Sequence, residues 1–182
     1  PNLRSFDAYH TISLKTADPT GCPYLQRLSL DMTSVESVDL SKNSLLQILN
    51  VGDSRVKTLD LSHNPEITQL YISHSSGAVN TDVKFETIDV SHCPKLYYFY
   101  CGGNNLKELD FSANNHLRTL EATNNPLLET INLKNDYFDE EAEYDIISGN
   151  KALKTIKVDA GAEEALVKKL YGISASVNVT TE

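Results

Sequence analysis

The side chains best placed to do chemistry here are tyrosines. Tyr71 and Tyr100 stand at one offset of a recurring segment, in company with Ser29, Asn50 and Glu121, and Tyr98 stands two residues earlier with Arg27, Ile48, Gln69 and Thr119. Positions that vary from one segment to the next while the rest stay uniform are where specificity can be written. An exposed tyrosine joins an apolar ring to a polar tip and is a favoured contact in protein and sugar recognition. Gln69, Tyr71, Tyr98, Tyr100, Arg118 and Glu121 are therefore the candidate ligand-binding residues. Packing of the rings across neighbouring strands, purely to stabilise a sheet, is the competing account of the same pattern.

Other groups carry weaker chemical signals. His63 and His92 share an offset, in SHNP and SHCP, but a zinc site needs further ligands at tetrahedral spacing and the sequence offers none; they read as solvated corner residues. His10, His74 and His116 are isolated in sequence. Asp39, Asp60, Asp89 and Asp110 also share an offset, which would align like charges on neighbouring coils. Ser41, Thr58, Ser62 and Thr87 are expected to donate hydrogen bonds to that row, with a bound cation as the alternative. No nucleophile elbow, phosphate-binding glycine loop, HExxH or CxxC is present, so no enzymatic activity, metal or cofactor is expected.

These residues are positioned by a repeat. VKTLDLSHNPEITQLYISHS, residues 56–75, carries one pattern twice, as Val56, Leu59, Leu61 and as Ile67, Leu70, Ile72. Apolar residues at offsets 0, 3 and 5, then a polar residue at offset 8, start again at Leu25, Val35, Leu46, Val56, Ile67, Phe85, Leu96, Leu106, Leu117, Leu128 and Leu153. Spacings of 10 and 11 residues alternate, which makes a 21-residue unit of two halves, interrupted by two longer gaps. Each half places a short strand with alternate side chains inward and then a corner. In the second half the corner holds Asn43, Asn64, Cys93 and Asn114, with Cys22 ahead of the first unit. An inward Asn can bond the free backbone groups of the turn, and Cys is a small buried substitute.

The expected fold is a mainly β solenoid with two short strands per 21-residue coil. One domain is divided into an N-terminal cap at 1–24, repeats at 25–158 and a C-terminal cap at 159–182 with one short helix. Leu3, Phe6, Tyr9, Ile12 and Leu14 are available to cover the first coil, and Asp7 is the only plausible calcium ligand there. Insertions fall at 73–84, read as an exposed loop, and at 136–150. The second holds Asp139, Glu140, Glu141, Glu143 and Asp145 among Tyr137, Phe138 and Tyr144, and reads as a short solvated helix pinned by its aromatics. A cation or a basic partner is the alternative for that stretch. A helix is expected over 162–171 and a last strand over 177–179.

The chain has 182 residues, 40% of them hydrophobic, with 25 acidic and 16 basic side chains and a net charge of −9. That balance argues against nucleic acid or an anionic membrane as partner. No run of about 18 apolar residues exists to form a transmembrane segment. Cys22 and Cys93 would stand about 14 Å apart, three coils at roughly 4.8 Å each, beyond disulfide reach. Cys101 takes an inward offset, which leaves Cys93 with Cys101 as the one pair open.

LxxLxLxxN with Asn or Cys at the corner resembles leucine-rich repeats. The alternating 21-residue form with LDLSHN at residues 59–64 is similar to a bacterial subclass found in surface and secreted proteins of Bacteroidetes, as is the ending LKTIKVDAGAEEALVKKLYGIS at 153–174. The resemblance implies a non-enzymatic scaffold for protein interaction or adhesion, outside the cell or at its surface, with a protein ligand or alternatively a glycan. It carries over no fixed ligand and no catalytic residue.

Overall fold

The fold is known from a computed structural model that describes residues 2–75, 80, 82–170 and 173–182. It is a mainly β solenoid of parallel three-residue strands with one short helix. The larger sheet runs in the order β1 (Ser5–Asp7), β2 (Arg27–Ser29), β3 (Ile48–Asn50), β4 (Gln69–Tyr71), β5 (Tyr98–Tyr100), β7 (Thr119–Glu121) and β9 (Glu143–Asp145). The smaller one runs β6 (Glu108–Asp110), β8 (Thr130–Asn132), β10 (Thr155–Lys157) and β11 (Asn178–Thr180). Strands only three residues long hold because each pairs in register with the coil before and after it, so that Leu28, Leu49, Leu70, Phe99 and Leu120 form one inward column. All five are buried, and Phe99 meets Phe111 from the opposite wall edge-on at 5.8 Å.

Two columns of side-chain amides close the corners. In one, Nδ2 of Asn64 donates to the carbonyls of Leu40 at 3.1 Å and Asn43 at 3.0 Å, and Asn43, Asn114 and Asn135 make equivalent bonds to the preceding coil. Cys93 fills the same place and its thiol points at the Asn64 carbonyl, 3.7 Å away. In the other column Asn80, Asn104, Asn125 and Asn150 each donate to two or more buried carbonyls. Here the carbonyl oxygens of Asn104, Asn125 and Asn150 also accept the backbone N–H of Phe85, Leu106 and Asn125. All three cysteines are free, and burial pushes the Cys93 thiol up to about 12.

Four expectations need correction. The second half-units form a hydrogen-bonded sheet only from β6 onward; at 35–40, 56–61 and 85–90 the chain forms no ladder, although Val35, Val56 and Phe85 are fully buried. The apolar triplet fixes which side chains turn inward, not whether neighbouring backbones come within bonding distance. The 136–150 insertion holds no helix. It is a further coil, with Tyr144 in the core column opposite Leu120, Ile146 buried, and Asn150 at the corner. The N-terminal residues do not cover the first coil so much as become it. Phe6 pairs in register with Leu28 yet is 40% exposed where Leu28 is 1% exposed, because β1 is the edge strand of its sheet, and Leu3, Tyr9 and Ile12 are exposed as well. Finally, α1 is shorter than expected, at Ala162–Val167. It is held by Glu163, which is buried, accepts a hydrogen bond from the Tyr144 hydroxyl at 3.2 Å and one from the Asp159 N–H at 2.8 Å. Of the 73–84 insertion, residues 76–79 and 81 lie outside the described residues.

The aspartate row is exposed, and each carboxylate is occupied locally. Oδ1 of Asp39, Asp60, Asp89 and Asp110 accepts the backbone N–H of the serine two residues on, at 2.9 to 3.0 Å. Thr58 and Thr87 show no bond to the row among the described residues. Hydroxyl and backbone bonds from Ser62 hold the Asp60 carboxyl below its usual range. A depressed folded-state pKa means that this contribution is present above the unfolded value of about 3.9 and lost as pH falls below it. Asn132 shows what an amide does here: it accepts the Lys134 N–H and its Nδ2 donates to Asp110 at 3.0 Å. Asp60→Asn should therefore leave Tm at neutral pH unchanged or raised and soften its acid decline; a clear fall in Tm at pH 7 would contradict this reading of the row.

Candidate functional site

Outward side chains of the larger sheet are built by the same alternation that fills the core. Between Leu70 and Phe99 inside, Gln69 pairs with Tyr98 and Tyr71 with Tyr100 outside, and the next strand continues the two rows with Thr119 and Glu121. The Tyr71 and Tyr100 rings are stacked, 5.0 Å between centroids and 18° between planes. The Tyr71 hydroxyl donates to Oε1 of Gln69 at 3.0 Å, and burial together with Tyr100 raises its pKa above the usual phenol value. Tyr98 lies edge-on to Tyr97 at 4.6 Å.

The structure separates the six candidates into three groups. Tyr71, Tyr100 and Glu121 line an open groove of about 910 Å³. Gln69 and Tyr98 sit one outward step earlier on the same face. Arg118 is drawn to the 136–150 coil, where its guanidinium donates to the Tyr97 hydroxyl at 2.7 Å, lies 3.5 Å from Asp139 and pairs with Glu141. These partners keep it firmly charged.

The groove also contains groups that the repeat pattern did not single out: Asp31, Asp53, His74 and Lys84. Asp53 takes a left-handed backbone conformation, φ 49°, and its carboxylate accepts the Ser75 N–H at 2.7 Å and the Ser75 hydroxyl at 2.8 Å. Glu121 is fully occupied: one oxygen takes Gly102 N–H at 3.1 Å and Ser73 Oγ at 3.3 Å, the other the N–H and hydroxyl of Thr123. The sequence signal for this opening was Gly52 and Gly102 at one outward offset, with only Ser73 between them. His63 and His92 are exposed, and no group of three or more metal-ligating side chains occurs among the described residues. Among those residues, too, no helix is long and apolar enough to cross a membrane.

No protein-family model and no curated protein matches this chain. Among solved structures it is similar to the functional domain of InlJ from Listeria monocytogenes, described as including a cysteine ladder, with 19% identity and a TM-score of 0.44 over 86% of this chain. The match covers 50% of that chain, so the present sequence spans about half of its length.

His74 is 4% exposed, and its Nδ1 is 3.6 Å from Asp53. Burial, with Lys84 adding to it and Asp53 opposing, holds the imidazole below its usual range. It is thus neutral when folded, while the unfolded chain takes up a proton near pH 6.5. Stability from this group is complete above that pH and declines as pH falls through it. Glu163, raised to about 7 by burial, has the opposite sign, so the parent curve alone is not diagnostic. In His74→Leu the Tm difference from the parent should shift in the variant's favour between about pH 7.5 and 5.5. Parallel melting curves would contradict the burial of a neutral imidazole.

Proposed function

We propose that this protein is a non-enzymatic binding scaffold, acting outside the cell or at a bacterial cell surface, whose outward face on β4, β5 and β7 engages a protein ligand. The observation that carries the reading is the stacked, half-exposed Tyr71–Tyr100 pair on the one face whose residues differ from coil to coil. Aromatic residues held by neighbouring strands lose little freedom on binding, which suits them as anchors. The resemblance of LxxLxLxxN units to leucine-rich repeats of bacterial surface proteins supports the same role. That Glu121 spends both oxygens on local hydrogen bonds favours recognition over acid–base chemistry.

A glycan is the second reading, because the same rings offer a sugar an apolar surface with hydroxyls at its edge. A pull-down paired with a glycan array on the same protein separates the two. Changing Tyr71 and Tyr100 together to Ser should cost about 1 to 2 kcal/mol of stability, as for other lost surface pairs. Affinity for the captured protein should fall at least about tenfold, the scale of losing one interface anchor. Unchanged affinity would exclude this face, and capture abolished by free oligosaccharide would favour the glycan.

A further inference from the structure

The tyrosine rows run into a groove whose floor carries almost no side chain. One outward step beyond Asn50, Tyr71 and Tyr100 stand Gly52, Ser73 and Gly102. A Cβ at Gly52 would lie 3.2 Å from an Asp31 carboxylate oxygen and 3.0 Å from the Ser73 carbonyl. The Asp31 carboxylate therefore reaches over bare backbone.

The charge on the walls is unbalanced. Asp31, Asp53 and Glu121 line the groove against the single ammonium of Lys84. Glu121 is saturated by its four donors, and Asp53 keeps acceptor capacity beyond Ser75. Asp31 has no ion-pair partner among the described residues, and burial together with Asp53 holds its carboxyl above the usual range. A half-buried carboxylate pair without a cation between its members is what raises such a group. Independently, His74 lines the groove with neither ring nitrogen hydrogen-bonded among the described residues, although the side chain is fully buried. A neutral imidazole in that setting is an unused acceptor for an N–H donor.

We propose that this groove receives an arginine side chain of a protein partner, its guanidinium lying between Asp31 and Asp53 with its face against an outer ring face of the Tyr71–Tyr100 stack; the inference rests on the protein-binding reading of that face. Guanidinium fits better than ammonium because its planar fork offers donors to two carboxylates while its face packs on a ring. A neutral sugar would leave the carboxylate repulsion in place. The net charge of −9 adds long-range attraction for such a partner.

The probe is the peptide acetyl-Gly-Gly-Arg-Gly-Gly-amide, titrated by two-dimensional amide NMR, with its citrulline counterpart and cellotetraose as comparisons. The arginine peptide should shift the amides of Gly52, Ser73 and Gly102 saturably, and binding should weaken with salt. Citrulline, the same shape without charge, should bind at least about tenfold more weakly. Asp31→Asn, checked for an unchanged melting curve, should lose the preference. No saturable shift, equal binding of citrulline, an unaltered Asp31→Asn titration, or cellotetraose shifting those amides instead would each overturn the inference. If the Tyr71/Tyr100 variant still loses its protein partner in any of these cases, the protein-binding reading survives and only the arginine assignment falls.

Discussion

The rest of this structure depends on the buried side-chain amides at the corners of the coil. A solenoid turns its backbone through the interior edge of every coil, and the carbonyls there have no strand partner and no water. Asparagine answers this by donating inward from a short side chain. Nδ2 of Asn64 and of Asn114 each bridges two carbonyls of the corresponding half-unit one coil earlier, which ties a turn to the turn before it. In the Asn104 column the link is stronger in kind, because the side-chain oxygen also accepts a backbone N–H from the flanking half-unit. The Oδ1 atoms of Asn43, Asn64 and Asn114 have no partner among the described residues, so in that column the donor half of the amide is what matters. Cys93 fits there for the same reason, as a small buried group with a weak donor.

Once the corners are fixed, the strands need only three residues, and the outward positions are free to vary. The face of β4, β5 and β7 is the consequence. Its core side is held by Leu70, Phe99 and Leu120, all completely buried, so the strands that carry Tyr71 and Tyr100 are fixed by packing beneath them, and the stack and the Gln69 bond then orient the rings. Asp53 and Glu121 then stiffen the end of the face, by bonds to Ser75, Gly102, Ser73 and Thr123. The result is a preorganised aromatic surface beside a polar groove, which lowers the ordering cost of binding.

The solenoid, the inward columns and the Tyr71–Tyr100 stack were legible because each repeats, and repetition is a signal that one residue cannot give. The Asn43–Asn64–Cys93–Asn114 column was legible for that reason. Its counterpart was not, since Thr33 and Ser54 begin it, and two longer gaps displace Asn80 and Asn150 from the expected offset. The coil around β9 was hidden because the polar Glu141 stands where its first apolar residue was expected, so an aromatic–acidic stretch passed for an amphipathic helix. The groove was hidden because Asp31, Asp53 and His74 come from three different coils and none repeats. Arg118 was expected on the binding face, but its charge is engaged by Asp139 and Glu141, which lie more than twenty residues further along.

Denaturant unfolding of Asn104→Ala tests the corner account most directly. The change strips the Ile72 carbonyl of its amide donor and the Phe85 N–H of its acceptor, both in the dry interior, while the Cys101 carbonyl keeps the Asn125 amide. At about 1 to 3 kcal/mol for each buried group left unpaired, the loss should reach about 2 kcal/mol or more, with the m-value unchanged. A loss below about 0.5 kcal/mol, the size of an ordinary surface substitution, would show that the coils are held by apolar burial alone and that the amide columns are incidental.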